Sequence, residues 1–319
     1  MRRMNATEAI LEMTAPNKRD LTEELAGRVS RAAVIRRDEP LAKHTTLRVG
    51  GPADVYVEPA AEADLVTVVR LCGERGVPCF IIGRGSNLLV RDGGFRGVII
   101  CLSHQNFSRI EVVGERLRCG AGARLKNVAV EAKRSGLSGV EFLEGIPGSV
   151  GGALRMNAGA MGSQTFDVAE SVRLMDLDGG VRELAPKEMA VEYRSCATLK
   201  NHIALDVVFK CKAAPRREIE ARMKAFSERR WASQPAAPSA GCMFKNPETI
   251  PAGKLVEELG LKGTRVGGAM VSAEHGNFIV NDGSATARDI LELIEIVKAR
   301  ARAERGIDLE TEVEIIGEA

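Results

Sequence analysis

Residues 141–162 read EFLEGIPGSVGGALRMNAGAMG, with six glycines between Gly145 and Gly162 and few large side chains. Glycine costs backbone entropy and gives up packing, so this density needs a reason. One reason is bare main chain lying against something flat or anionic, with amide N–H groups aimed at phosphate oxygens. Pro147 stiffens Ile146–Gly148 by fixing one φ angle, and Asn157-Ala158-Gly159-Ala160 reads as a tight turn with small walls. The stretch is therefore a cradle for the pyrophosphate of a large cofactor, or a packed, bulged turn between strands. Two further glycine-bearing turns, 83–87 and 120–122, each follow a strand-like run. If the three converge, they wrap a ligand as long as a dinucleotide.

Composition narrows the classes. The chain has 319 residues, with 45 Lys+Arg against 43 Asp+Glu, a balance that demands neither nucleic acid nor a membrane surface. Aromatic residues make up 4%, too few for base-stacking platforms along single-stranded nucleic acid. Seven scattered cysteines without a CxxC pair argue against a disulfide framework or structural zinc, and for a reducing cytoplasm. The four histidines show no ligand spacing, so no metal is expected. No apolar run approaches the ~20 residues that span a bilayer. Glu8, Glu12 and Asp20 interrupt any apolar signal region, and residues 1–30 read as an extension of weak helical character.

Along the chain, residues 45–59 read as strand, Gly-Gly-Pro turn and strand, with Val55 and Val57 alternating against Asp54 and Glu58. Leu65, Val68, Val69 and Cys72 share one face of a helix over 62–75. Gly83-Arg84-Gly85 begins like a dinucleotide fingerprint, but Leu88-Leu89-Val90 follows as a strand, which excludes a Rossmann turn. A strand and turn at 109–119 lead to a helix over about 123–135, closed by Gly136. Strands are expected at 169–177 and 203–212. Composition shifts at 213–216, before a charged helix at 216–231. Residues 284–305 form the clearest helix, with Ser284 or Thr286 as cap and Ile290, Leu291, Ile294 and Val297 as its apolar stripe. DLETEVEII at 308–316 alternates as a strand, with Glu310, Glu312 and Glu314 on one face. The order implies an α+β fold: a first domain over 31–215 in two subdomains (about 31–100 and 101–215), a second over 216–307, and a return strand at 308–319.

Three side chains could carry chemistry. Arg194, in EYRSC, offers a fork that binds a carboxylate at two points, or is a surface arginine. Cys242, in SAGCMFKNP, is a thiol with a reference pKa of about 8.5, able to donate a proton, with Lys245 nearby to ease thiolate formation. It could equally be a small buried apolar residue. The plain reading of Glu310, Glu312 and Glu314 is a solvated edge.

The ordered set TTLRVGGPA, GRGSNLLV, GAGA, FLEGIPGSVGGALRMNAGAMG, EYRSC, SAGCMFKNP, AGKLVEELGLKG and ETEVEIIG resembles the UDP-N-acetylenolpyruvoylglucosamine reductases, from about His44 to Gly317. The resemblance implies an α+β fold with a split FAD-binding domain of the vanillyl-alcohol oxidase and para-cresol methylhydroxylase type, a C-terminal α+β substrate domain, and a last strand returning to the first domain. It implies a monomeric bacterial cytoplasmic enzyme that uses non-covalent FAD and NADPH to reduce an enolpyruvyl ether of UDP-N-acetylglucosamine to UDP-N-acetylmuramate. FAD would be held by Thr46 and Gly50, by Gly83, Gly85, Ser86, Asn87 and Leu88, and by Gly120 and Gly122. The long loop would add Gly145, Ile146, Pro147, Gly148, Ser149, Gly151, Gly152, Asn157 and Gly159. Arg194 and Glu312 match the family pair that stabilises the charged intermediate. Cys242 matches the proton donor, where many relatives carry serine. Tyr193, Lys245, Asn246 and Arg230 (or its neighbour Arg229) are the expected substrate contacts. The short spacing between EYRSC and SAGCMFKNP leaves no room for a tyrosine-bearing substrate loop.

Overall fold

The computed structural model describes residues 18–319. Helix α1 (Lys18–Arg28) turns Leu21 and Leu25 into the first core. Behind it, the Ser30 N–H and hydroxyl both donate to the carboxylate of Asp64, at 2.7 and 2.8 Å. Residues 18–30 are thus part of the first unit rather than an extension; the expectation for 1–17 lies outside the described residues. The buried stripe of α1 is two leucines four apart in a charged helix, too thin to stand out in the sequence.

Two sheets share that core. The first has the strand order Val34–Pro40, Pro52–Glu58, Phe95–Cys101, Cys79–Ile82; its outer pair is antiparallel and the other two pairings are parallel. Helix α2 (Glu62–Glu74) supplies the parallel crossover and buries Leu65, Val68, Val69 and Cys72. The expected strand at 45–49 is instead irregular chain, with Arg48 and Gly50 in left-handed backbone conformations (φ 59° and 117°). Leu47 and Val49 leave the sheet there because they are committed to the core of the C-terminal unit.

The second sheet is antiparallel, in the order Val181–Leu184, Ala169–Met175, Ile203–Lys210, Arg116–Gly120, Ile110–Val113. Helix α3 (Leu125–Arg134) packs on it through Leu125, Val128, Ala129 and Ala132. The glycine-dense stretch includes the short helix α4 (Val150–Arg155), capped by Ser149; α5 (Thr165–Val168) follows. Helix α6 (Arg216–Trp231) also belongs to the first unit, although composition places the boundary before it. Ile219 and Met223 enter the first core, and Arg222 donates to Glu141 at 3.0 Å.

The C-terminal unit begins beyond α6. Its antiparallel sheet runs Ser239–Cys242, Phe278–Asn281, Ala269–Val271, Arg265–Val266. Helices α7 (Ala252–Glu258) and α8 (Ala287–Arg305) share its core. Thr286 and Asp289 form a reciprocal capping box at the start of α8, and Gly306 (φ 65°) closes it. Leu293 takes the place in the buried stripe expected of Leu291, which is only partly buried.

The last segment stitches the units together. Regular pairing is confined to Glu314–Ile316, which runs parallel to Leu88–Val90; the expected strand over 308–316 is otherwise irregular, with one bridge from Thr311 to Phe244. Leu309 and Val313 enter the C-terminal core beside Leu47, Val49 and Leu89 of the first unit. Asp92 accepts from the Ala287 and Arg288 N–H groups, both at 2.9 Å, anchoring α8 to the first unit. No described helix is long and apolar enough to cross a membrane.

Leu25 is fully buried. Leu25→Ala is therefore expected to destabilise the protein by about 2–5 kcal/mol in denaturant unfolding; a change under about 0.5 kcal/mol, the size seen at surface sites, would detach α1 from the first core.

Candidate active site

The three glycine turns meet. A Cβ on Gly83 would lie 2.3 Å from Ser149 Oγ, and one on Gly122 would lie 1.7 Å from the Leu102 carbonyl oxygen. Gly85 has φ +57°, and a Cβ there would lie 2.3 Å from the His44 carbonyl oxygen. At Gly85 and Gly122 only glycine permits the approach without shifting main chain; at Gly83 a Cβ would displace the Ser149 side chain. The N–H groups of Gly83, Arg84, Gly85, Ser86 and Asn87 donate to no other group among the described residues. A row of free amides is a ready donor set for anionic oxygens.

Two adjoining cavities open between the turns. The larger, about 680 Å³, runs between the two sheets, from His44 and Thr46 past Gly83, Gly122 and Asn127 to Leu199 and Ala204. The smaller, about 270 Å³, is walled by residues 83–88, 145–149 and 239–242. Gly83, Ser149, Gly152 and Arg155 line both. Bare main chain, free amides and this length fit a dinucleotide cofactor.

Arg194, Cys242 and Glu312 all face the smaller cavity. Arg194 sits in the two-residue turn between Val191–Glu192 and Ser195–Cys196, with φ 56°. Its Nε lies 3.2 Å from Glu312 Oε1. That is ion-pair distance, but the buried Nε–H is not aligned to donate to any partner. One Nη1–H reaches the Gly159 carbonyl at the limit of a hydrogen bond, 3.5 Å. The guanidinium is held and still has donors to offer.

Main-chain bonds set Glu312: its N–H donates to the Met243 carbonyl at 2.8 Å, and its carbonyl accepts from Asn87 Nδ2 at 3.1 Å. Burial raises its carboxyl pKa above the usual range, with Arg194 and, more weakly, Lys245 pulling the other way. Cys242 ends its strand after Gly241 (φ 77°). The chain beyond it is pinned by buried Asn277, whose side chain accepts from the Phe244 N–H and donates to the Phe244 carbonyl, both at 2.8 Å. Burial, with a contribution from Glu312, pushes the Cys242 thiol up to about 12, and Arg194 opposes the shift. The thiol is therefore protonated at neutral pH. The cation that eases its ionisation is Arg194, not Lys245, which is exposed and paired with Glu310 at 2.8 Å. Nor do the three glutamates form a solvated edge: Glu310 pairs with Lys245, Glu312 with Arg194, and Glu314 with Arg155 at 2.7 Å.

Of the residues singled out in the sequence, Thr46, Gly83, Gly122, Ser149, Gly151 and Gly152 line the larger cavity. Residues 83 and 85–88, 145–149, 152 and 159, with Arg230, line the smaller one. Seven do not face either cavity, among them Arg229, the alternative to Arg230. Gly50 packs on Val90 and Gly120 on Phe107, each too close for a Cβ. Asn157 is buried, donating to Gln164 and the Glu192 carbonyl and accepting from the Phe166 N–H. Asn246 accepts from the Ala252 N–H at the start of α7. Lys245 is taken by Glu310, and Tyr193 is exposed with its ring against Arg194. Phe80, Arg155, Phe278 and Glu314 line the smaller cavity without having been singled out. For Arg155 and Glu314 the signal was present: one lies inside the glycine-dense stretch, the other two residues after Glu312. All seven cysteines are free, and no cluster of three or more metal-ligating side chains occurs among the described residues.

Comparison with known proteins gives the same picture. Residues 53–185 match the FAD binding domain, and residues 234–316 match the UDP-N-acetylenolpyruvoylglucosamine reductase C-terminal domain. The UDP-N-acetylenolpyruvoylglucosamine reductase of Clostridioides difficile (strain 630) is 44% identical over 286 residues, 89% of this chain and 94% of that one. That of Clostridium botulinum (strain Hall) is 46% identical over 283 residues, 88% and 92% of the two chains. The crystal structure of UDP-N-acetylenolpyruvylglucosamine reductase from Thermus caldophilus matches with a TM-score of 0.78 at 39% identity, covering 89% of this chain and 98% of that one.

Gly85→Val forces a β-branched residue into left-handed backbone against the His44 carbonyl. The strain is expected to lower FAD affinity by about tenfold, read as visible flavin absorption per mole of protein at limiting FAD. Undiminished flavin binding would remove this turn from the cofactor site.

Proposed function

This chain belongs to the UDP-N-acetylenolpyruvoylglucosamine reductase family, FAD-dependent oxidoreductases of peptidoglycan precursor synthesis, and from that premise we propose that it reduces the enolpyruvyl ether of UDP-N-acetyl-3-O-(1-carboxyvinyl)-glucosamine to UDP-N-acetylmuramate, with NADPH as reductant. The observation that carries this reading is the meeting of a guanidinium, a neutral thiol and a buried carboxyl group at one cavity walled by bare main chain.

The free amides of residues 83–87 and the wall at 145–152 would hold FAD, with the amides toward its pyrophosphate. Bound FAD would supply hydride chemistry there, with NADPH as the external reductant. The chain's own groups manage charge and proton. Arg194 binds the substrate carboxylate, using the donors its ion pair leaves available, and stabilises the negative charge that develops there. Glu312 orients the guanidinium. Its raised pKa lowers the cost of a second carboxylate close by, because the protonated form does not repel it. Cys242 gives its S–H proton to the carbon bearing the ether and carboxylate. A protonated thiol is the required state at neutral pH, and Arg194 stabilises the thiolate left behind.

An anaerobic spectral titration tests the proposal: NADPH should bleach the flavin, and the enolpyruvyl nucleotide sugar should restore its absorption. A protein that stays reduced after the nucleotide sugar is added would refute the reading. Cys242→Ala is expected to lower substrate reduction by roughly 10²–10⁴-fold while sparing flavin reduction by NADPH; unchanged turnover would remove the thiol as donor. Arg194→Lys loses the planar fork, and activity is expected to fall about 10²-fold or more; near-normal turnover in steady-state assays would count against carboxylate binding by Arg194.

A further inference from the structure

We infer that Trp231, at the end of α6, is the platform on which the uracil base of the nucleotide sugar stacks; the inference rests on the substrate reading above. Trp231 is the chain's single tryptophan. Of the large aromatic and aliphatic side chains left exposed among the described residues, only Tyr193 and Trp231 are aromatic, 55% and 58% exposed. Each packs on an arginine that lines the smaller cavity: Tyr193 on Arg194 and Trp231 on Arg230, with the guanidinium carbon 5.3 and 5.2 Å from the ring centroid. A single ring left in water is ordinary on a protein surface. Two, each against an arginine that lines one cavity although neither ring itself lines it, point to a planar ligand at the cavity's rim.

The two arginines differ, and the difference separates the two ends of the ligand. Arg194 is paired with Glu312 beside the Cys242 thiol, so it belongs to the reacting centre. Arg230 is half-buried, and its side chain donates only to the neutral amide oxygen of Gln234, at 3.2 Å. No carboxylate lies within ion-pair distance of it among the described residues. Glu144 acts on it only from beyond that distance, which leaves this half-buried guanidinium suited to an anion in the cavity. Gln234 and Pro235 carry the same wall onward. Next to that cation stands a flat, exposed indole, backed on one side by the guanidinium. A nucleoside diphosphate presents this chemistry, a doubly charged pyrophosphate with a planar base one ribose away. Stacking on an aromatic face is tolerant in geometry and suits a base at the rim of a site.

The single tryptophan makes the test direct. In the FAD-loaded enzyme, UDP should change Trp231 fluorescence saturably. Trp231→Ala should weaken UDP binding by about tenfold, the scale of one lost base stack, and leave inorganic pyrophosphate binding unchanged, both read by calorimetry. Trp231→Phe should recover most of the loss. In turnover, KM for the nucleotide sugar should rise in Trp231→Ala with little change in kcat. UDP affinity in Trp231→Ala equal to that of the unmutated enzyme, or parallel losses for UDP and pyrophosphate, would overturn the assignment while leaving the substrate reading intact. If UDP does not bind the unmutated enzyme, the substrate reading falls and the stacking role falls with it.

Discussion

The site depends on where the end of the chain is tied down. Having closed α8 at Gly306, the backbone must run back across the C-terminal unit to the first one. It does so through a few main-chain bonds: Glu312 N–H to the Met243 carbonyl, Glu314 N–H to the Asn87 carbonyl, and Asn87 Nδ2 to the Glu312 carbonyl. Asn87 belongs to the first glycine turn and Met243 follows Cys242. One short segment thus fixes the carboxyl group relative to both the first glycine turn and the Cys242 thiol. Leu309 and Val313 lock it from the other side by burial beside Leu47, Val49 and Leu89. The two units share a core at that point, so the cavity between them is held by packing rather than by a flexible linker.

Within that frame, charge is arranged to be incomplete. A buried ion pair barely repays its desolvation unless the surrounding hydrogen bonds are also satisfied. At Arg194 and Glu312 they are not: the guanidinium Nε–H is unaligned, and burial holds the carboxyl above its usual range. The pair is stable enough to keep its geometry and poor enough to favour a further anion. The Cys242 thiol responds to both partners with opposite sign, up from Glu312 and down from Arg194. Any change that neutralises Glu312 therefore makes the thiol a stronger acid, coupling the state of the carboxyl group to that of the thiol.

Much of this was legible in residue order. The helices over 62–74, 125–134 and 287–305 show because each carries a full apolar stripe, and the glycine turns show because nothing else explains such a density. The boundary before α6 was misread because the helix is charged overall and buries only Ile219 and Met223, a signal that composition swamps. The return segment kept its alternation but not its strand: side chains alternate wherever a chain lies extended against a core, whether or not its backbone is paired. Asn157 and Gly120 have the residue type and spacing of ligand contacts, yet their neighbours satisfy or crowd them. Sequence shows which backbone must be bare. It does not show whether the bareness faces a ligand or another piece of chain.

That ambiguity has a physical resolution here, because the two uses reinforce each other. Gly83, Gly85 and Gly122 lack side chains so that Ser149, His44 and Leu102 can come close. The Gly83–Ser149 approach joins two of the turns, and the Gly151 N–H, donating to the Ala121 carbonyl at 2.7 Å, joins the third. Once the turns are clamped, the amides of residues 83–87 have no neighbour to bond to among the described residues. Unpaired donors in a half-enclosed site are costly unless water or a ligand satisfies them. The packing role of the glycines therefore creates the binding role of the amides. The left-handed turn at Arg194 follows the same logic, since a two-residue hairpin is the shortest way to swing a guanidinium back over the wall. Its backbone strain, of order 1–3 kcal/mol, is borne by the fold around the hairpin, and the guanidinium it presents sits beside a carboxyl group whose own charge is suppressed.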